Sequence, residues 1–221
     1  MKKPESDCPA QPQKRSPESD PCQLTSGIAR LPAIPAVIPP PLSEAEYKLH
    51  IKTHDKAYDL VKAYQKLTED APGVITFVVD DTEDKVDYAV NALKEAQKSS
   101  EARSVAASCS NGDDAIKLLA AVRKEEIDEA RHEGVAYVPA HILVIMDGYF
   151  ESRGGGAVLG NQVVRKIVDL FSENGWQLPY FVSYSVSERN SDIEKAAGDR
   201  YLGNFSGRDL PEILNRAAKD Y

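Results

Sequence analysis

Three acidic side chains stand directly after two apolar runs of this sequence. Asp80 and Asp81 follow residues 74–79, and Asp147 follows residues 141–146. Carboxylates that meet at one place repel each other unless a cation neutralises them, and Mg²⁺ is a hard ion that prefers carboxylate oxygens. A carboxylate beside Mg²⁺ can also attack a phosphoryl group. The acids therefore indicate a metal site for phosphoryl chemistry, and the alternative is ordinary turn residues, because Asp is common in turns.

The elements that must position these acids alternate regularly from residue 73 onward. Apolar runs typical of buried strands alternate with segments whose apolar residues recur at helical spacing, giving five strands and five helices. Such alternation predicts an α/β fold, in which a five-stranded parallel sheet is flanked by helices on both faces. Chemistry in such folds lies at the carboxyl ends of the strands, where the acids stand.

The first 70 residues have a different character. Ten of the 14 prolines lie in residues 1–41, and this segment has too few large apolar side chains to offset its ordering entropy. We expect residues 1–42 to be a disordered proline-rich tail, whose apolar end at 34–41 is a linker or a polyproline II ligand. Residues 43–70 are predicted to form an N-terminal helix that packs on the following domain or pairs with a partner.

Composition excludes several classes of protein. The net charge of −8 argues against a nucleic-acid binder that works through a basic surface. No segment approaches the ~20 apolar residues of a membrane span, and the N-terminus is not a secretory signal. The three cysteines have no metal-type spacing and do not form a disulfide scaffold. We therefore expect a cytoplasmic protein without a membrane span.

Five motifs between residues 73 and 219 resemble those of receiver domains, the phospho-accepting modules of two-component signalling. They are residues 77–81 (FVVDD), 110–119 (SNGDDAIKLL), 142–147 (ILVIMD), 160–167 (GNQVVRKI) and 178–179 (LP). They occur in the order in which the family has them. The chain from 73 to 221 is therefore identified as a divergent response-regulator receiver domain.

The resemblance implies a fold, a site and a function. The fold would be flavodoxin-like, with strand order 2-1-3-4-5. Asp147 would accept the phosphoryl group, and Asp80, Asp81 and Asp147 would hold Mg²⁺ together with the backbone carbonyl of Tyr149. The donor would be a histidine kinase or a phosphotransfer protein. Because no output domain follows, the protein would signal by protein–protein contact and would not be an enzyme.

Two positions depart from the family's pattern. The family has a Ser or Thr at the end of the fourth strand; here that position falls on Tyr184, and we favour the neighbouring Ser185 for its small hydroxyl. The family also has a lysine after the fifth strand, where this chain has Gly203 or Asn204. Asn204 can donate a hydrogen bond but supplies no charge, so Arg208 or another basic group is a candidate replacement.

These departures leave alternatives open. One is a pseudo-receiver, an interaction module that keeps the fold without switching. Another is an aspartate-based phosphatase, which the adjacent pair Asp80-Asp81 fits poorly. Two insertions are also expected: a long salt-bridged helix within residues 120–140, and a glycine-rich loop at 154–156. That loop lacks the Lys-Ser/Thr of a phosphate-binding P-loop, so we interpret it as a lid or a plain insertion.

Overall fold

The structure, a computed structural model, describes residues 44–151, 157–184 and 190–219. These residues belong to one unit, Leu42–Tyr221. The tail predicted at 1–42, the glycine-rich loop at 154–156 and the candidate hydroxyl of Ser185 lie outside the described residues. Within the described part, no helix combines the length and the hydropathy that crossing a membrane requires.

Five of the strands form one parallel sheet. In chain order the strands are β1 (Gly73–Val79), β2 (Arg103–Cys109), β3 (Ile142–Met146), β4 (Tyr149–Glu151), β5 (Ala157–Leu159), β6 (Tyr180–Ser183) and β7 (Tyr201–Asn204). The order in the parallel sheet is β2-β1-β3-β6-β7, with β1 pairing in parallel with both β2 and β3. Counted along the chain this is 2-1-3-4-5, so the predicted α/β fold is confirmed.

Six helices in the described residues flank the sheet. They are α1 (Glu44–Thr68), α2 (Glu83–Ala96), α3 (Gly112–Glu133), α4 (Gly160–Glu173), α5 (Asn190–Ala197) and α6 (Leu210–Lys219), with a 3-10 turn at Gly198–Arg200 before β7. The long helix expected from the charge pattern is α3, which has 22 residues.

The core consists of two layers, one on each face of the sheet. In β1, Phe77 and Val79 face a cluster completed by α1, α3, α4 and α5, whereas Val74 and Val78 face a cluster completed by α2 and α6. Every residue of β1 and β3 is buried. Their continuous apolar runs therefore reflect central strands that are covered on both sides.

Helix α1 packs on α3 and on the edge strand β2. Ala57 and Val61 enter the core beneath it. At the rim, the Lys62 ammonium and the Gln65 amide both donate to the Glu129 carboxylate. Of the two alternatives for the N-terminal helix, packing on its own domain is the arrangement observed.

Two charged residues of α3 lie inside the protein. Arg123 is fully buried, and its Nη1 donates to Glu126 Oε2 over 2.8 Å. The other oxygen of Glu126, Oε1, accepts from the backbone N–H of Ala140, and the Tyr137 hydroxyl donates to Oε2. The charge pattern predicted salt bridges on this helix, and the structure places this one in the core, where each charge depends on its partner.

The loop after β3 contains a small ribbon that the sequence did not predict. Strands β4 and β5 pair antiparallel, with Tyr149 opposite Leu159, and Phe150 is buried in the core. Three-residue strands are too short to give a periodic hydrophobic signal, which is why we expected only a long loop here.

Candidate functional site

The hydrogen-bond ladder of the sheet continues past the ends of its central strands. The N–H of Asp147 donates to Val79 O over 3.0 Å, and the N–H of Tyr184 donates to Met146 O over 2.9 Å. Asp80 directly follows Val79. The first residues after β1, β3 and β6 are therefore aligned side by side at the carboxyl edge of the sheet.

The structure brings Asp80, Asp81 and Asp147 together at this edge. One carboxylate oxygen from each residue lies within 4.8 Å of the others. Asp80 and Asp147 are buried, with 3% and 5% of their surfaces exposed, whereas Asp81 is exposed. Two buried carboxylates at such a distance need hydrogen bonds and a counter-charge to remain ionised.

Backbone N–H groups hold one oxygen of each buried carboxylate. Asp80 Oδ1 accepts from the N–H of Thr82, and Asp147 Oδ1 accepts from the N–H of Gly148, each over 2.8 Å. These bonds fix both side chains in the turns that follow their strands. The second oxygen of each carboxylate faces Lys85.

Lys85, on the first turn of α2, is the functional residue that sequence reasoning missed. Its Nζ lies 3.2 Å from Asp147 Oδ2 and 3.5 Å from Asp80 Oδ2. One signal could have revealed it. The helix dipole favours acids in a first turn, as with Glu83 and Asp84, and a lysine beside them opposes that preference.

The pKa values at the site reflect burial and these contacts. Burial raises the pKa of Asp80, and the charge of Asp147 adds to that shift, while the hydrogen bond from the Thr82 N–H opposes it. Burial acts to lower the pKa of Lys85, but the hydrogen bond to Asp147 and the charges of both acids raise it overall. The ammonium is therefore held in its charged form by the carboxylates.

The donor set fits a hard divalent cation. Three carboxylates from two strand ends offer the oxygen ligands that Mg²⁺ takes. Asp80 Oδ2 is buried and has no hydrogen-bond partner among the described residues. This oxygen has the ion pair with Lys85 at 3.5 Å but no hydrogen bond, and a bound cation would supply the missing partner.

The residues expected to contact a phosphoryl group are arranged differently from the family's pattern. Ser183 is fully buried, and its Oγ donates to Asn204 Oδ1 over 2.6 Å. The Tyr201 hydroxyl donates to the same oxygen over 2.8 Å. The carbonyl oxygen of Asn204 is thus engaged by two hydroxyls from β6 and β7.

Tyr184 occupies the position where the family has its small hydroxyl. Its Oη donates to the backbone carbonyl of Lys85 over 3.4 Å, and its ring lies 5.0 Å from that of Phe205. Burial raises the pKa of Tyr184, and the negative charge of Asp80 raises it further. The side chain of Tyr184 therefore lines the site beside Lys85. Arg208, the candidate replacement for the family's lysine, is exposed in the turn before α6.

Gly160, the first residue of α4, packs against the turn that carries Asp147. The N–H of Gly160 donates to Gly148 O over 3.1 Å. A Cβ at Gly160 would collide with the carbonyl oxygen of Asp147 and come within 3.3 Å of Gly148 Cα. Glycine is therefore required for this close approach. Tyr149, whose carbonyl is the fourth predicted ligand, begins β4 next to this contact.

The comparisons with known proteins give a likeness to a solved structure. No protein-family model matches the chain, and no curated protein matches it. A crystal structure of a two-component response regulator from Cytophaga hutchinsonii is similar to 66% of this chain and 98% of its own, with 12% identity and a TM-score of 0.41. A TM-score this low says nothing about function. The fold assignment rests on the strand order and register described above. That parallel sheet and its strand order fit a divergent receiver domain.

Proposed function

We propose that this chain is a phospho-accepting receiver. Asp147 takes the phosphoryl group, and Mg²⁺ is held by Asp80, Asp81 and Asp147 together with the carbonyl of Tyr149. The observation that carries the proposal is the cluster of three carboxylates at the carboxyl edge of a parallel sheet, two of them buried. Burying carboxylates without a compensating cation is unfavourable. The presence of two buried carboxylates at this edge therefore favours a cation-binding role for the cluster.

The transfer step requires positioning and charge neutralisation. An oxygen of the Asp147 carboxylate forms the new bond to phosphorus, the bond from phosphorus to the donor breaks, and the leaving group takes that electron pair. A carboxylate nucleophile has no proton to lose, so the step needs no general base. The N–H of Gly148 orients the carboxylate. Mg²⁺, when bound, would neutralise charge on the carboxylates and on the phosphoryl oxygens.

The partners in this proposal are proteins. A phospho-histidine of a histidine kinase or a phosphotransfer protein would be the donor, as the sequence resemblance implies. The added charge would then shift the conformation of the sheet at its β7 side. There β7 is the partly exposed edge strand, and α5 packs beside it. A downstream protein would bind to that surface. The net charge of −8 does not favour nucleic acid as the target.

Intact-mass analysis tests the proposal directly. The protein is incubated with acetyl phosphate in Mg²⁺ or in EDTA, beside Asp147→Asn and the control Asp169→Asn, an exposed acid of α4. We expect one phosphoryl group on the wild type and on the control in Mg²⁺, and none on Asp147→Asn or in EDTA. Labelling of Asp147→Asn to the wild-type extent would refute Asp147 as the acceptor.

A specific observation favours a second candidate, the pseudo-receiver. Asn204 stands where the family has its lysine, and its carbonyl oxygen is tied to Ser183 and Tyr201. A site fixed in this way lacks the charge that couples phosphorylation to movement near β7. If the wild type stays unlabelled under conditions that label an ordinary receiver, the chain is better understood as an interaction module.

A further inference from the structure

We infer that Lys85 supplies the positive charge that faces the phosphoryl group on Asp147. Before that group arrives, its ammonium occupies the space between the two buried carboxylates and competes with the metal for them. The inference rests on the proposed function, because it assigns a role in that same site to a residue of α2.

The position of the ammonium is the first argument. Lys85 Nζ lies between Asp147 Oδ2 and Asp80 Oδ2, at 3.2 Å and 3.5 Å. In the described part of the chain it is the basic group that forms an ion pair with both buried acids. Asp147 Oδ1 is already held by the Gly148 N–H, so the Lys85 ammonium contacts the other oxygen of the acceptor carboxylate.

The balance of charge is the second argument. A divalent cation offsets two of the three carboxylate charges, which leaves one for Lys85. Phosphorylation replaces the single charge of the Asp147 carboxylate with a phosphoryl group of roughly −1.5 to −2, a net gain of roughly −0.5 to −1 at the same edge of the sheet. Strand β7 offers Gly203 and Asn204 there, and neither carries a charge. Among the described residues, Lys85 on α2 is therefore the cation that contacts the carboxylate of Asp147.

The mobility of the side chain is the third argument. The backbone of Lys85 is fixed, because its N–H donates to Thr82 O and its carbonyl accepts from Tyr184 Oη. Its side chain is 44% exposed and unbranched. The ammonium can therefore move from the carboxylates to a phosphoryl oxygen by rotation of the side chain, while the helix stays in place.

Two effects of opposite sign follow from this arrangement. Removing the ammonium takes away a competitor for the carboxylate oxygens, so Mg²⁺ should bind more tightly to the unphosphorylated protein. Removing it also takes away a charge that stabilises the incoming phosphoryl group, so transfer should slow. A purely structural lysine would not produce this pair of effects, because a damaged fold weakens both.

The test compares Lys85→Met with Lys85→Arg and with Lys94→Met. Methionine keeps the unbranched apolar stem of lysine up to the ε position and lacks the ammonium. Lys94 is an exposed residue nine positions further along α2, which is ~13 Å along the helix axis. Mg²⁺ affinity is measured by calorimetric titration of the full chain without a phosphoryl donor. The labelling rate is measured with acetyl phosphate at saturating Mg²⁺ by intact mass.

For Lys85→Met we expect Mg²⁺ to bind several-fold more tightly and labelling to slow by on the order of tenfold, the effect of losing one charge-assisted hydrogen bond. Lys85→Arg should recover part of the rate, and Lys94→Met should match the wild type. A rate for Lys85→Met equal to that of the wild type overturns the inference, even if Mg²⁺ binding changes. A fall in both quantities, which Lys85→Gln would confirm, overturns it in favour of a structural role.

Failure of the proposed function looks different in the same experiment. If the wild type is not labelled, the phospho-acceptor proposal falls, and the role of Lys85 in transfer falls with it. If the wild type is labelled and Lys85→Met is labelled equally fast, only the inference about Lys85 fails.

Discussion

Burial of the Asp80 side chain destabilises the folded protein when its carboxylate is ionised. Its carboxylate is 3% exposed, and burial raises its pKa above the ordinary value of 3.8. The folded protein therefore keeps a proton on Asp80 at pH values where the unfolded chain has lost it. The contribution of this group to the free energy of unfolding is present below pH 3.8 and is lost as the pH rises through the raised pKa.

Asp80→Asn should therefore stabilise the protein at pH 7 in EDTA. Asparagine keeps an oxygen that can accept from the Thr82 N–H, and it carries no charge to desolvate. We expect a higher urea midpoint than in the wild type at pH 7, and the difference should shrink as the pH is lowered through the raised pKa of Asp80 and vanish below 3.8. Mg²⁺ should reduce or reverse the difference, because a ligand stabilises the form that binds it.

The control for this prediction is Asp87→Asn, an exposed acid on α2. Its urea midpoint should stay close to that of the wild type, since surface substitutions usually change stability by less than about 0.5 kcal/mol. A stabilisation by Asp80→Asn that persists unchanged from pH 7 to below pH 3.8 would contradict burial of the charge as its cause.

The convergence of the acids could be predicted from the sequence, whereas the role of Lys85 could not. Asp80 and Asp147 follow buried strands, and parallel strands end at a common edge, so their proximity follows from topology. The contact with Lys85 depends on the angle at which α2 leaves the turn at Thr82. No periodicity encodes that angle. The burial of Arg123 was missed for a similar reason, since it depends on how α3 packs against its neighbours.

At the scale of the elements, the start of α4 contacts Asp147, the proposed acceptor. Gly160 opens the helix against the carbonyl oxygen of Asp147, and its N–H bonds to Gly148 O. A side chain there must displace either the helix or the turn that carries Asp147. The packing of α4 and the position of Asp147 therefore depend on the same glycine.

Gly160→Ala should both destabilise the protein and slow phosphorylation. Overpacking of a tight contact costs about 1–3 kcal/mol, because backbone atoms must move to relieve it. We expect a lower urea midpoint and a slower gain of mass with acetyl phosphate. Gly207→Ala is the matched control, because a Cβ at Gly207 meets nothing within 4 Å. Equal stability of the two variants would show that the turn at Asp147 yields without cost.

The sequence predicted the long elements well and the short ones poorly. Strand β1 and helix α3 carry strong signals, a continuous apolar run and a run of charges at helical spacing. The ribbon of β4 and β5 carries none, because each strand has three residues. Its pairing depends on the buried side chain of Phe150, which the sequence alone does not distinguish from a loop residue.

At the scale of the whole molecule, α1 and the proposed output surface lie at opposite ends of the sheet. Helix α1 packs on β2 and α3, whereas β7 forms the other edge. The helix contributes Ala57, Leu60 and Val61 to the same core cluster that contains Phe77 of β1. The N-terminal helix is therefore expected to unfold together with the sheet, and it leaves the β7 edge accessible for a partner.

Leu60→Ala tests whether α1 belongs to the cooperative unit. Leu60 is 7% exposed, and truncating a buried leucine costs about 2–5 kcal/mol. Unfolding in urea is followed by far-UV circular dichroism, which includes the 25 residues of α1, and by the fluorescence of Trp176, which packs edge-to-face on Phe171. We expect both signals to shift together to a lower midpoint, and Asp59→Ala, an exposed neighbour on α1, to leave them nearly unchanged. Loss of helical signal ahead of an unshifted Trp176 transition would instead show that α1 unfolds independently, which would free its apolar face for a partner.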